Sequence, residues 1–293
     1  MRLKYLLITF LTVIVLSTFN SCSKSSGGGY GSTTAPVTTP PVTTATVAFQ
    51  LRTDSHFGSI IADGNGNTLY FFSLDADGKS ACTAGCLAVW PVSYTANTTI
   101  GTGLDASDFS SITRSDGTKQ STYKGWPLYN YAGDAAAGAV NGDGVQGIWF
   151  VAKPDYTVML AVTQLIGNDG IKYDSTYKAG TGASLYMTDD HGLTLYSFSI
   201  DKSGKNNYTL SDFSNDTVWP IVQISTIQSV PSVLEKSAFS SITVFTKPQL
   251  TYKGWPVYRF GQDASIRGNT KGVSVSTPGT WPVMDQASNV APL

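Results

Sequence analysis

Four times along the chain a tyrosine is followed two residues on by a second aromatic ring and, three residues after that, by an aspartate. The copies are Tyr70, Phe72 and Asp75; Tyr129, Tyr131 and Asp134; Tyr196, Phe198 and Asp201; and Tyr258, Phe260 and Asp263. Three fixed positions copied four times require a fold of repeated units, because each copy must find the same surroundings. The units also pair at a longer period: TYKGWP at Thr122–Pro127 recurs at Thr251–Pro256 and Trp90-Pro91 at Trp219-Pro220, both 129 residues on, while SSIT at Ser110–Thr113 recurs 130 residues on at Ser240–Thr243. The chain therefore reads as a duplicated module, residues 47–153 and 183–285, each of two half-units, with a connector at 154–182 and a tail at 286–293.

Local patterns give the fold class. The segments IIADGNGNTLYFF and LYMTDDHGLTLYSF place turn residues between apolar and aromatic runs, and Asp116-Gly117 and Lys124-Gly125 do the same in the second half-unit. Glu235 is the only glutamate; the other acids are Asp, which favours turns and caps over helix interiors. The expectation is an all-β protein of tandem β-hairpin repeats with little helix, arranged as a propeller-like ring or as two small sandwiches. Residues i and i+2 share a strand face, so each motif Tyr stands beside the following ring, and the Asp falls at the strand end. The mostly apolar stretch Tyr156–Ile166 in the connector is expected to pack the modules together.

The N-terminus reads as an export signal. Arg2 and Lys4 precede the apolar run Leu6–Leu16, too short for the ~20 residues that span a bilayer, and small or polar residues lead to Ser21. Phe19-Asn20-Ser21-Cys22 resembles the lipobox of bacterial lipoproteins, in which the Cys is acylated and becomes the mature N-terminus; Phe19 and Asn20 depart from its commonest form, and the alternative is plain secretion. Residues 1–21 are thus the signal peptide, and Cys22 is the lipidation site. Residues 22–46 form a Ser/Gly/Thr/Pro tether with almost no large apolar side chain. Removing 1–21 takes two of the 19 basic residues and no acid, which leaves a formal charge of −3 and points away from nucleic acid. Surface-exported lipoproteins commonly carry acids just after the lipidated Cys; Ser23-Lys24-Ser25-Ser26 has none, which favours the periplasmic face of an outer-membrane location.

The motif, together with KSACTAGCLAVWP at Lys79–Pro91 and NGDGVQGIWFVAKPD at Asn141–Asp155, resembles a family of secreted-repeat bacterial lipoproteins. The resemblance covers most of residues 47–285. It implies an envelope lipoprotein of tandem β-rich repeats and supplies no activity.

Candidate chemistry is sparse. Cys82 and Cys86, four apart in an exported chain, read as a local disulfide, since the spacing is neither C-x-x-C nor a haem attachment and the only histidines are His56 and His191. Alignment of the modules on Trp219-Pro220 puts Ser211 and Asn215 in their places. The four motif Asp residues either bind a ligand or fix turns, and copying at every unit favours turns. Asp75-x-Asp77-Gly78 and Asn141-Gly-Asp143-Gly144 resemble calcium loops but lack the acidic twelfth position. The motif tyrosines with Trp126 and Trp255 offer either a core or a stacking platform for a planar ligand. No G-x-S-x-G, H-E-x-x-H, phosphate loop or dinucleotide motif is present. The reading is a non-catalytic, lipid-anchored envelope protein that binds a ligand or partner, with no cofactor or metal. The alternatives are a redox- or metal-linked envelope accessory and a hydrolase with an unrecognised site.

Overall fold

The computed structural model describes residues 47–96 and 99–293, so the signal segment, Cys22 and the tether lie outside the described residues. Module one opens with the antiparallel hairpin β1 (Phe49–Asp54) and β2 (Gly58–Asp63), in register from Phe49 opposite Asp63 to Asp54 opposite Gly58. β3 (Tyr70–Phe72) carries the first motif, and the four-residue helix α1 (Cys86–Val89) follows it. β4 (Phe109–Thr113), β5 (Lys119–Tyr123) and β6 (Trp126–Pro127) form a meander, and β7 (Trp149–Val151) returns to pair with β3.

Module two repeats the plan. β8 (Met159–Ile166) pairs with β10 (Ala183–Thr188) as β1 pairs with β2, and β9 (Lys172–Tyr173) adds to the end of β8. β11 (Phe239–Val244), β12 (Lys247–Tyr252) and β13 (Trp255–Pro256) form the second meander. The connector therefore holds a strand that completes the first hairpin of module two.

The repeated TYKGWP has a backbone reason. Tyr123 pairs with Trp126 and Tyr252 with Trp255, each across a two-residue turn whose central residues both have positive φ: Lys124 48° and Gly125 78°, Lys253 49° and Gly254 86°. Such a turn matches the twist of the flanking strands, and glycine at its second position removes the steric cost of the left-handed conformation.

The chain is all-β, with five antiparallel sheets of two or three strands among the described residues and no closed barrel or propeller. The four-unit ring is not formed because half-units pair within a module. Tyr70 and Tyr129 exchange backbone hydrogen bonds at 2.9 and 3.1 Å, and Tyr196 and Tyr258 do so at 2.9 Å each way. Among the described residues no helix is long and apolar enough to cross a membrane.

The modules share a core. Phe71, Trp126 and Leu128 of module one cluster with Tyr156, Met159, Tyr186 and Tyr196, and β8 lies against the Ser73–Asp75 turn. At the seam Trp126 Nε1 donates to the Asp190 carbonyl at 3.0 Å, Lys124 Nζ meets Asp190 Oδ2 at 2.6 Å, and Arg267 covers the Trp126 ring with its guanidinium 4.5 Å from the centroid. The same turn in module two grips the tail instead: Trp255 Nε1 donates to the Asn289 carbonyl at 2.8 Å, and Lys253 Nζ to those of Gln286 and Ser288. The first copy of TYKGWP thus seats the Asp190 turn of module two, and the second seats the C-terminal tail.

Candidate functional site

The four motif Asp residues meet the four motif tyrosines in crossed pairs. Tyr70 donates its phenol to Asp134 Oδ2 at 2.6 Å and Tyr129 donates to Asp75 Oδ2 at 2.7 Å; Tyr196 donates to Asp263 Oδ2 and Tyr258 to Asp201 Oδ2, both at 2.7 Å. Each tyrosine reaches the Asp of the other half-unit, so neither half satisfies its own polar groups. The second carboxylate oxygen of Asp75, Asp134, Asp201 and Asp263 accepts a backbone N–H, from Ala81, Asn141, Asn207 and Lys271 respectively. Within each carboxylate both oxygens are therefore used to fix a loop, a role that charge-assisted bonds suit.

Burial sets the electrostatics of these pairs. Loss of water pushes Asp75 up to about 7, against the opposing pull of the Ala81 N–H and the Tyr129 phenol. The same cause raises Asp201 and Asp263 to about 6 each. Burial and the neighbouring carboxylate drive the Tyr70, Tyr196 and Tyr258 phenols well above their ordinary value.

The second motif aromatic enters a column of rings. In module one Phe72 stacks on Trp149 at 3.9 Å, Trp149 on Trp90 at 3.8 Å, and Trp90 on Tyr131 at 4.4 Å. In module two the order is Phe198, Trp281, Trp219 and Phe260, at 4.2, 3.7 and 4.4 Å. The motif tyrosines meet these tryptophans edge-on, Tyr70 against Trp90 at 5.4 Å and Tyr129 against Trp149 at 5.1 Å, the geometry that ring quadrupoles favour. Gly142 and Gly272 close the site with an N–H to the Tyr70 and Tyr196 phenols, and a Cβ there would lie 2.8 Å from the Tyr70 ring or 2.7 Å from the Tyr196 ring. Gly142→Ala is expected to cost ~1–3 kcal/mol by overpacking, read as a shift in the urea midpoint; no shift would show that the column yields.

A cavity of about 360 Å³ opens in module one beside β1 and β4, lined by Phe49, Tyr94, Ile100, Phe109, Ser111 and Ser121 among others. Its counterpart in module two is filled. The backbone identifies the equivalent positions: Ser121 N–H bonds the Ser93 carbonyl as Leu250 N–H bonds that of Val222, and Ser93 N–H bonds the Leu128 carbonyl as Val222 N–H bonds that of Val257. Leu250 and Val222 pack with Phe239, Leu234 and Val158 in one apolar cluster that Ile224 flanks. Where module two has Val222, Ile224 and Leu250, module one has Ser93, Thr95 and Ser121.

Residues 53–93 and 110–153, the two half-units of module one, match a family described as a secreted repeat of unknown function. Module one is similar to this secreted repeat in both of its half-units. No curated protein and no solved structure matches the chain. In both modules of this chain the motif locks one half-unit to the other.

The remaining candidates are also accounted for by packing. The motif tyrosines and Trp126 are buried, so they form core and not an exposed stacking platform; Trp255 is half-buried with its N–H on the tail. The calcium-like loops spend their acids on the protein itself: Asp77 Oδ1 accepts the Lys79 N–H, and Asp143 Oδ1 the Val151 N–H. Asp189, Asp190 and His191 converge closely, but Arg259 holds Asp189 at 2.7 Å, Lys124 holds Asp190 at 2.6 Å, and His191 Nδ1 faces Asp190 Oδ1 at 3.0 Å. That corner is neutralised by the protein's own cations.

Cys82 and Cys86 form a disulfide with Cα atoms 5.4 Å apart. It pins the loop that carries Ser80 and Ala81, where Ser80 Oγ meets the Tyr129 phenol at 2.7 Å, and Arg114 Nη2 donates to the Cys82 carbonyl at 2.7 Å. In module two Asn215, which stands in the place of Cys86, does the pinning with hydrogen bonds: its Nδ2 donates to the Tyr208 carbonyl and its Oδ1 accepts the Leu210 N–H. Replacing both cysteines by alanine is expected to cost ~2 kcal/mol for so short a loop, and an unchanged melting temperature would show the bond to be redundant. Sequence reasoning did not single out Trp149, Trp281, Gly142, Gly272 or the cavity residue Ser121. The signal for Ser121 was present, since aligning TYKGWP sets it opposite Leu250.

Proposed function

We propose that this chain is a non-catalytic envelope protein, tethered by lipid on Cys22 to the periplasmic face of the outer membrane, that binds a small ligand in module one. The observation that carries this reading is the cavity at a position that the sister module fills with Ile224 and Leu250. Its volume falls within the roughly 300–1,000 Å³ of small-molecule sites. The sister sequence shows the apolar residues that close the equivalent space, Ile224 and Leu250. The motif acids and phenols are committed to one another and to backbone N–H groups, which supports binding over catalysis.

Native mass spectrometry of protein purified from its own envelope tests the reading. A co-purifying small molecule is expected with the natural chain and not with Ser121→Leu, which copies the packing of module two. Equal spectra for the two proteins, with no thermal shift from envelope small-molecule extract, would refute it. The anchor is tested separately: Cys22→Ser is expected to move the protein from the membrane fraction to the soluble one.

A further inference from the structure

We infer that the module-one cavity takes a neutral saccharide ring, an inference that rests on the binding reading above. Two features of the lining select the ligand. Its apolar part is planar and aromatic: Phe49 and Phe109 stack at 4.8 Å with their planes 8° apart, and Ile100, Ala96 and Ala106 continue the surface. Its polar part is hydroxyl: Ser111 and Ser121 stand opposite each other across β4 and β5, Ser110 also borders the space, and Tyr94, 48 % exposed, adds a ring face and a phenol. Among the described residues no Asp, Glu, Lys, Arg or His lines the space.

Each ligand class meets these groups differently. A charged ligand would lose water and gain no counter-charge, which is the costlier exchange. A pure hydrocarbon would satisfy the two phenylalanines but cover serine hydroxyls; Ser121 Oγ already accepts the Thr95 N–H at 3.3 Å, and among the described residues its own O–H meets no acceptor. A pyranose ring presents an apolar C–H face to aromatic carbon and a rim of hydroxyls that both donate and accept. Module two provides the internal contrast, since Leu250 and Ile224 take the space and replace the Ser121 and Thr95 hydroxyls, and Ser241, the counterpart of Ser111, spends its hydroxyl on the Ile224 carbonyl at 2.8 Å.

The test is saturation-transfer NMR on the full chain in a detergent without a sugar headgroup. The probes are N-acetylglucosamine and cellobiose, glucuronate as an anionic ring, and cyclohexanol as an apolar ring of like size. Transfer to one or both neutral sugars is expected, weakened at least tenfold by Ser121→Leu and clearly reduced by Tyr94→Ala, a half-exposed position whose truncation leaves the core intact. Glucuronate and cyclohexanol are expected to give little signal. If cyclohexanol alone binds in a manner sensitive to Ser121→Leu, or if glucuronate matches the neutral sugars, the saccharide assignment fails while the cavity remains a binding site. If no probe responds to Ser121→Leu and no small molecule co-purifies, both readings fail together.

Discussion

Trp149→Ala is expected to destabilise the protein by ~3–5 kcal/mol, the usual cost of removing a large buried aromatic ring. Trp149 is 2 % exposed and sits between two parallel rings, Phe72 at 9° and Trp90 at 2°, with the edge of Tyr129 closing a third side. Its loss leaves the column without its middle and deprives the crossed Tyr129–Asp75 bond of a wall. Domains of ordinary stability have ~5–15 kcal/mol in all, so a drop in melting temperature of about 10 °C follows. Trp281→Ala should do the same in module two, where Trp281 lies between Phe198 and Trp219. Because one apolar cluster runs through both modules, each variant is expected to unfold in a single transition at lower urea. Trp149→Phe, which keeps a ring in the column, should retain most of the stability. A loss under about 1 kcal/mol for Trp149→Ala, with altered ligand binding instead, would mean that the column is a recognition surface and not a core.

The motif was legible as architecture, and its mechanism was not. Spacing placed Tyr70 and Phe72 on one face and Asp75 at the strand end, and in the structure the 3₁₀ turn Ser73–Asp75 follows β3 directly. That Tyr70 bonds Asp134 and not Asp75 depends on β3 meeting the second half-unit, a tertiary contact that no local pattern encodes. Trp90 and Trp219 recur with their prolines and were visible as a pair. Trp149 and Trp281 stand 132 residues apart, out of step with the 129-residue period, so self-comparison at a fixed shift passes over them. The contribution of β8 to module two was obscured for a similar reason, because β9 and its flanking turns separate it from β10 whereas β1 and β2 are three residues apart. The cavity is the converse case. It is written in the differences between the copies, at Thr95 and Ser121, whereas a search for repeats attends to what the copies share.

Stability is expected to fall as pH rises from about 4.5 to 7.5, the second large effect. Asp titrates near 3.9 in an unfolded chain, whereas burial holds Asp75 at about 7 and Asp201 and Asp263 at about 6 in the folded one. Between these limits the folded protein retains protons that the unfolded chain has released, so the contribution is fully present below pH ~4 and is lost as pH rises through 6 to 7. The combined change is on the order of a few kcal/mol. Exposed turn acids such as Asp105, Asp116 and Asp174 are shifted down by backbone and hydroxyl donors and act in the opposite sense, but only as pH drops towards 4 and below. The melting temperature should therefore be greatest near pH 4–5. Asp75→Asn isolates the largest contributor: its amide can donate to the Tyr129 oxygen while that phenol turns to Ser80 Oγ, 2.7 Å away, and the Asn carbonyl oxygen keeps the Ala81 N–H. The variant should be close to the natural chain at pH 4.5, at least as stable at pH 7.5, and flatter in between. A melting temperature of the natural chain that climbs steadily from pH 4.5 to 7.5 would mean that the crossed pairs are ionised throughout, held by their N–H and phenol donors against the cost of burial.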